Sequence, residues 1–249
     1  MSDLRLSVPL EQRRGALRHD EQDYVESGHR LIQLLCRHLG RDSLADLAVL
    51  DMGCGTKLVQ AMLDRDLPVG RYVGLDVNAE MIDYLKANVD DERFTFHRLE
   101  THNEMYNPDG EPLTPESRLP VEEHSFDLIC LFSVFTHLAP HDYAAMLHVL
   151  RRYIKPDGML LYSLFVNEPS DGGHGFIDKM LPSIEASLTE EDLQREPPDF
   201  IDWVPSKPLL IAAYSRRHAL ELVDGTGWQV ESLNEPEEHI QHYIIARPG

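Results

Sequence analysis

The stretch Leu47-Ala-Val-Leu-Asp-Met-Gly-Cys-Gly-Thr56 decides the fold. An apolar run meets an acid and then two glycines one residue apart. Short apolar runs bounded by glycine suit a buried strand that ends in a tight turn. Gly53 and Gly55 let the backbone bend sharply and come close to a ligand, where a Cβ would clash. Residues 57–65 carry on as a helix. Arg71-Tyr-Val-Gly-Leu-Asp76 reads as a second strand. Ala79 to Asn88 reads as a helix with Met81, Ile82 and Leu85 on one face, and Phe94 and Phe96 mark a third strand.

Outward from this unit the alternation persists. Upstream, Tyr24, Val25, Leu31, Leu34, Leu35 and Leu39 recur at helical spacing up to Gly40, behind a polar segment, 1–20, that reads as an arm or short helix. Downstream, residues 125–132 form a fourth strand and His141–Tyr153 a helix. Lys155-Pro-Asp-Gly158 is a turn and Met159–Val166 a fifth strand. Ala213–Gly225 reads as a last helix, and Trp228–Leu233 and His239–Ala246 as two final strands. Five strand–helix alternations imply a parallel, doubly wound α/β sheet. The last two strands leave no room for a crossover helix, so they form an antiparallel hairpin and bring the sheet to seven strands. Residues 1–249 thus read as one domain with an N-terminal helical arm over about 1–40. Two insertions interrupt it, about 100–120 and 167–208, the second with a helical piece near Leu181–Arg195. Loops this long in a compact domain are usually functional, and both are expected to act as substrate lids.

Composition narrows the partners. The chain carries 23 Lys+Arg against 43 Asp+Glu, a net charge of −20. Phosphate-backbone binding depends on cationic neutralisation, so nucleic acid is not expected. The longest apolar runs fall far short of the ~20 residues that span a bilayer, so no membrane partner is expected. Three widely spaced cysteines, Cys36, Cys54 and Cys130, form no disulfide framework, and the first residues lack the apolar core of a signal peptide; both suggest a cytoplasmic setting. No histidine pair stands in a ligand-spaced cluster, so no metal is expected.

In sheets of this kind ligands bind at the carboxyl ends of the strands. Asp76 ends the second strand about 20 residues after the glycine turn, where an acid can accept both hydroxyls of a ribose. A dinucleotide would need a third glycine where this chain has Leu58. Asp51 would also repel a pyrophosphate, whereas it would attract an ammonium group. The site therefore suits an adenosine carrying an amino acid, and a nucleotide-dependent oxidoreductase is disfavoured.

These features resemble the class I S-adenosylmethionine-dependent methyltransferases. Val49 to Thr56 is similar to that family's nucleotide loop and Gly74-Leu-Asp-Val77 to its ribose-acid strand. Ser125-Phe-Asp-Leu128, Ser133-Val-Phe-Thr-His-Leu138 and Lys155-Pro-Asp-Gly158 are similar to its later motifs. The resemblance covers roughly residues 20–165 and implies S-adenosylmethionine as cofactor. It implies that Asp51, Gly53 and Gly55 line the methionine end and that Asp76 takes the ribose. Val77 and Met81 would pack near the adenine, Glu100 and Thr101 would reach its edge, Phe132 and Ser133 would flank the methionine part, and Tyr24 would close over the cofactor. Two positions depart from the family pattern: Lys57 stands where a third glycine is frequent, and Glu100 where Asp is commoner.

His137, after the fourth strand, is the candidate general base, with His174 in a glycine-rich loop as the alternative. Tyr106, Tyr162, Tyr214 and Trp203 either line an acceptor pocket or pack. Cys54 reads as a small buried filler. The implied activity is methyl transfer to a small-molecule acceptor through an O, N or C nucleophile. The alternative is a protein that binds the same cofactor without transferring its methyl, as a scaffold or a cyclase.

Overall fold

The computed structural model describes residues 5–185, 198–204, 206–237 and 240–249, with side chains of 181–185 left aside. Helix α1 (Glu21–Leu39) starts at Asp20, whose side chain accepts from Asp23 N, and ends at Gly40 in the left-handed conformation at φ 64°. Its buried stripe runs through Tyr24, Leu31 and Leu35. Then follow β1 (Leu44–Met52), α2 (Lys57–Asp64), β2 (Val69–Asp76), α3 (Ala79–Asn88), β3 (Phe94–Arg98) and β4 (Phe126–Leu131). Next are α4 (Pro140–Arg151), β5 (Ile154–Val166), α5 (Phe176–Glu185), β6 (Phe200–Asp202) and β7 (Ala212–Tyr214). The chain closes with α6 (Arg216–Glu221), β8 (Trp228–Asn234) and β9 (His242–Pro248).

The sheet order is β3-β2-β1-β4-β5, all parallel. β9 adds to β5 antiparallel and β8 adds to β9 antiparallel. These seven strands are the mostly parallel sheet with a reversed hairpin that the alternation implied. Apolar clusters cover both faces. Leu31, Leu35, Val59 and Ile82 belong to one, and Tyr143, Leu147, Leu150 and Ala219 to the other. Among the described residues no helix is long and apolar enough to cross a membrane.

The described sheet has nine strands, two more than expected. The second insertion contributes β6 and the residues that follow it contribute β7; the two form an antiparallel pair attached to the tip of β5. β5 therefore forks: Leu160–Leu164 pair with β9, while Phe165 and Val166 pair with Ala213 and Tyr214. Ala213 belongs to this strand rather than to the last helix. Ser215 makes the change, because its side chain accepts from His218 N and starts α6. β5 also begins earlier than expected, since residues 155–158 continue the strand past a register shift opposite Phe126 and Leu128. The helical piece expected near Leu181–Arg195 meets the end of α5, and residues 186–197 lie outside the described residues.

The arm is docked, not loose. Leu6 and Val8 are buried. Gln60 Nε2 donates to Leu6 O at 2.9 Å, and Leu6 N donates to Asp64 at 3.0 Å. Buried Arg13 pairs with Glu21 at 2.7 Å. These contacts carry residues 14–18 across the carboxyl ends of β1 and β2.

Candidate functional site

A cavity of ≈ 820 Å³ opens at the carboxyl ends of β1, β2, β4 and β5. Its size lies near the upper end of the range for small-molecule sites, about 300–1,000 Å³. Its floor is the glycine turn. Gly53 N and Cys54 N both donate to Leu75 O, at 2.7 and 3.0 Å, which pulls the turn towards β2. Gly53 and Gly55 have φ of 70° and 51°, a region that disfavours side chains. A Cβ on Gly53 would meet Val134 Cγ2 at 2.4 Å, whereas one on Gly55 would meet only Met81 Sδ at 4.0 Å. The second glycine thus leaves open space.

Asp76 stands beside that space. Its Oδ2 accepts from Gly55 N at 3.0 Å and its Oδ1 from Asn78 N at 2.9 Å. The backbone fixes the carboxylate, while each oxygen keeps a lone pair for a further donor. Burial raises its pKa, and the three backbone N–H groups around it and the Arg14 charge act against that rise. Asp51 is also buried and accepts from the Tyr72 hydroxyl at 2.5 Å. Burial pushes its pKa up to about 7, against the opposing effect of the Tyr72 bond. Tyr24 roofs the turn: its hydroxyl lies 3.0 Å from Thr56 Oγ1, which in turn donates to Gln12 O in the arm. The Thr56 hydroxyl proton goes to Gln12, so Tyr24 is the donor to Thr56.

Ten of the eleven residues proposed from the sequence for a cofactor line this cavity: Tyr24, Asp51, Gly53, Gly55, Asp76, Val77, Met81, Thr101, Phe132 and Ser133. Glu100 does not. Its side chain is 69% exposed and pairs with Arg98 at 3.3 Å. The cause is alternation in extended chain. Leu99 and Thr101 turn inward, so Glu100 between them turns out. Leu99, not Glu100, lines the cavity at this point.

His137 also lines the cavity, in a short 3-10 turn, Phe135–His137. Its Nδ1 lies 3.1 Å from Leu209 O. A carbonyl only accepts, so in the neutral ring the proton sits on Nδ1 and Nε2 carries the lone pair. Burial lowers the pKa, partly offset by the Leu209 and Leu210 carbonyls. His174 is exposed and outside the cavity. Its loop is tied down: Ser170 N, Ser170 Oγ and Gly175 N all donate to Asp178 Oδ2. Tyr106 lines the cavity, but Tyr162 and Tyr214 are buried around Tyr143, and Trp203 packs on Phe176.

Sequence reasoning missed three contributors. Arg14 enters the cavity from the arm, stacked over the Tyr106 ring at 5.7 Å. The apolar Leu6 and Val8 within a polar segment were the available sign that the arm docks. Gln241 latches the fork of β5: Ser163 Oγ donates to Gln241 Oε1 at 2.6 Å, and Gln241 Nε2 donates to Ser133 Oγ at 2.9 Å. Ser133, held at φ 60°, donates its N–H to Ser163 Oγ at 2.9 Å. Lys57 lines the cavity as well. It had registered only as a departure from the family loop.

The arrangement can hold a nucleoside whose ribose meets Asp76 and whose cationic end meets Asp51. Comparison with known proteins agrees. A methyltransferase-domain model matches residues 49–158, from the glycine turn to the start of β5. An S-adenosylmethionine-dependent methyltransferase from Mesorhizobium loti superposes with a TM-score of 0.55 at 16% identity, covering 86% of this chain and 96% of its own. Magnesium protoporphyrin IX methyltransferase from Synechocystis PCC 6803, with bound SAH, gives 0.54 at 13% identity, with 95% and 89% covered. A glycopeptide N-methyltransferase gives 0.56 at 13% identity, with 89% and 90% covered. At such identities the structural likeness is one of fold. Taken with the methyltransferase-domain model over residues 49–158 and the glycine turn, it supports an S-adenosylmethionine-dependent methyltransferase, an enzyme whose cofactor is S-adenosylmethionine, similar to the class I family.

Proposed function

We propose that this enzyme methylates a small molecule, with the cofactor held by the cavity residues above and His137 as general base. The observation that carries the reading is the wall of the cavity beyond the glycine turn. Phe132, Phe165, Leu210, Ile211 and Ile240 line it, drawn from the tips of β4 and β5, the segment leading into β7 and the segment before β9. A mostly apolar recess closed by several chain segments fits a compact acceptor better than a polymer. The net charge of −20 disfavours a polyanion. Among the fold relatives, the Synechocystis protein is named for a porphyrin acceptor; that is support by analogy of fold alone.

Fit to the cofactor rests on this chain's own atoms. Asp76 offers two fixed carboxylate oxygens to paired hydroxyls. Asp51 offers a buried acid to a cation, and Gly55 leaves the space a Cβ would narrow. When bound, S-adenosylmethionine supplies a methyl carbon on a sulfonium, open to in-line attack. The protein's part is to hold the acceptor in line and to exclude water. His137 takes the acceptor's proton on Nε2 where the nucleophile arrives protonated. Of the two insertions, residues about 100–120 serve as a wall of the cavity, through Thr101, Tyr106 and Leu119 among others, whereas no described residue of 167–208 lines it.

The test is a screen with methyl-labelled cofactor against pooled small molecules, with RNA and protein extracts alongside. Label in a small-molecule fraction, with stoichiometric S-adenosylhomocysteine, supports the reading. Label confined to RNA or protein overturns it.

A further inference from the structure

Lys57 is the first residue of α2 and lines the cavity where the family frequently has glycine. Its ammonium sits 5.1 Å from the centre of the Tyr24 ring. A Cβ on Gly15 would come within 3.6 Å of it, so arm and α1 both press on the side chain. Among the described residues no acid pairs with it and no oxygen accepts its protons. The Tyr24 face offers attraction to the charge but no hydrogen-bond acceptor.

Three effects oppose a cation here. Burial disfavours the charged form, and the neighbouring Arg30 charge adds to that, so the pKa is lowered. The amino-terminal end of a helix carries partial positive charge, which favours anions and repels an ammonium. A partly desolvated, unpaired charge is costly, and proteins keep one where a ligand completes it. Glycine would remove all three penalties. The rest of the cavity carries charges of both signs, Arg14, Arg18, Arg30 and Arg118 with Asp51, Asp76 and Asp142, so one negative charge is enough to pair Lys57. The complementary partner is a singly charged anion with acceptor oxygens.

We propose that Lys57 is a carboxylate anchor, receiving the carboxylate of a ligand bound in this cavity. The inference rests on the proposed use of the cavity. Two ligands could bring the group: the cofactor, through its amino-acid end, or an acidic acceptor.

The experiment is calorimetry on wild type and Lys57→Met with three probes: S-adenosylmethionine, its decarboxylated analogue, which keeps the adenosine, sulfonium and amine, and sodium benzoate in the presence of S-adenosylhomocysteine. A charge-assisted hydrogen bond corresponds to about 10–100-fold in affinity. If the cofactor is the source, wild type prefers S-adenosylmethionine over the decarboxylated analogue by that factor and Lys57→Met loses the preference. If the acceptor is the source, the preference is the same in both proteins, while benzoate saturates wild type and not the variant. In either case ligand-free Lys57→Met melts at or above the wild-type temperature, because an unpaired cation has gone. Equal weakening of both adenosyl ligands together with a lower melting temperature would make Lys57 a structural residue and overturn the proposal. So would a variant that matches wild type with all three probes. Wild type binding neither adenosyl ligand would instead sink the functional reading, and the benzoate arm would still decide Lys57.

Discussion

The Tyr72 hydroxyl donates to Asp51 Oδ2 at 2.5 Å, across neighbouring strands and beneath the glycine turn. This bond lowers the acid's pKa, but burial outweighs it and the value stands at about 7. Below that value the folded protein holds a proton that the unfolded chain, near 3.8, has released. The contribution of this group to stability therefore falls as pH rises from 3.8 to about 7, and is flat above. A cation bound beside Asp51 draws the proton off. S-adenosylmethionine should therefore bind with release of up to one proton below about pH 7, its affinity rising by up to about tenfold per pH unit on the acid side. Calorimetry in buffers of different ionisation enthalpy reads the proton directly. Tyr72→Phe removes a donor to the charged form and should move the midpoint upward. Affinity that is flat across the acid side would exclude Asp51 from the cationic end.

Asp76→Asn should bind S-adenosylhomocysteine at least about 30-fold more weakly, since a charged acceptor of two hydroxyls becomes a neutral one with a single oxygen. The side-chain oxygen can keep only one of the present bonds, to Gly55 N or to Asn78 N. A modest loss of melting temperature should accompany the weaker binding. The control is adenosine against its 2′-deoxy form. Wild type should discriminate between them and the variant should not; equal discrimination in both would remove Asp76 from the ribose.

Gly53→Ala and Gly55→Ala should fail differently. Both put an alanine at positive φ, at 70° and 51°, which costs about 1–2 kcal/mol. At Gly53 the new methyl also meets Val134 Cγ2 at 2.4 Å, so further destabilisation of about 1–3 kcal/mol is expected. The double variant Gly53→Ala/Val134→Ala should recover part of that second loss. At Gly55 the methyl enters cavity space, so stability should fall less and ligand affinity more. Chemical denaturation and calorimetry on the two variants separate the effects.

The part of the site that was legible in the sequence is the part made by neighbours in the chain. Asp51, Gly53 and Gly55 belong to one turn, and Asp76 ends the next strand of the same βαβ unit, so spacing alone reaches them. Glu100 failed because two adjacent residues of extended chain face opposite sides, and the choice between them depends on which face the sheet buries. Arg14 and Gln241 were out of reach for another reason. The arm docks through Leu6, Gln60 and Asp64, more than fifty positions apart in sequence, and Gln241 meets Ser133 from the far end of the chain. β6 and β7 are only three residues each, in a segment rich in proline, and pair because β5 outruns β9. No local pattern announces a strand whose partner is the exposed tip of another.

The same insertion supplies the support of His137, and its removal in two steps tests the proposed base. Asp202 Oδ2 accepts from Leu209 N at 3.0 Å, and the Leu209 carbonyl faces His137 Nδ1 at 3.1 Å. Leu209 holds φ at 56°, which a leucine rarely adopts unless its surroundings fix it. Asp202 thus orients the carbonyl that orients the ring. His137→Gln should lower kcat by about 10²–10⁴-fold with an acceptor that must lose a proton, and leave S-adenosylhomocysteine affinity unchanged. Asp202→Asn should act in the same direction but more weakly, since the imidazole remains and only its tautomer and aim are loosened. Because burial lowers the His137 pKa, the neutral ring persists below the ordinary value of 6.5. The acid limb of kcat should therefore lie below 6.5 in wild type and vanish in His137→Gln. Asp202→Asn, by freeing the ring towards water, should move that limb upward. An acid limb unchanged in His137→Gln would show that another group, or none, takes the proton.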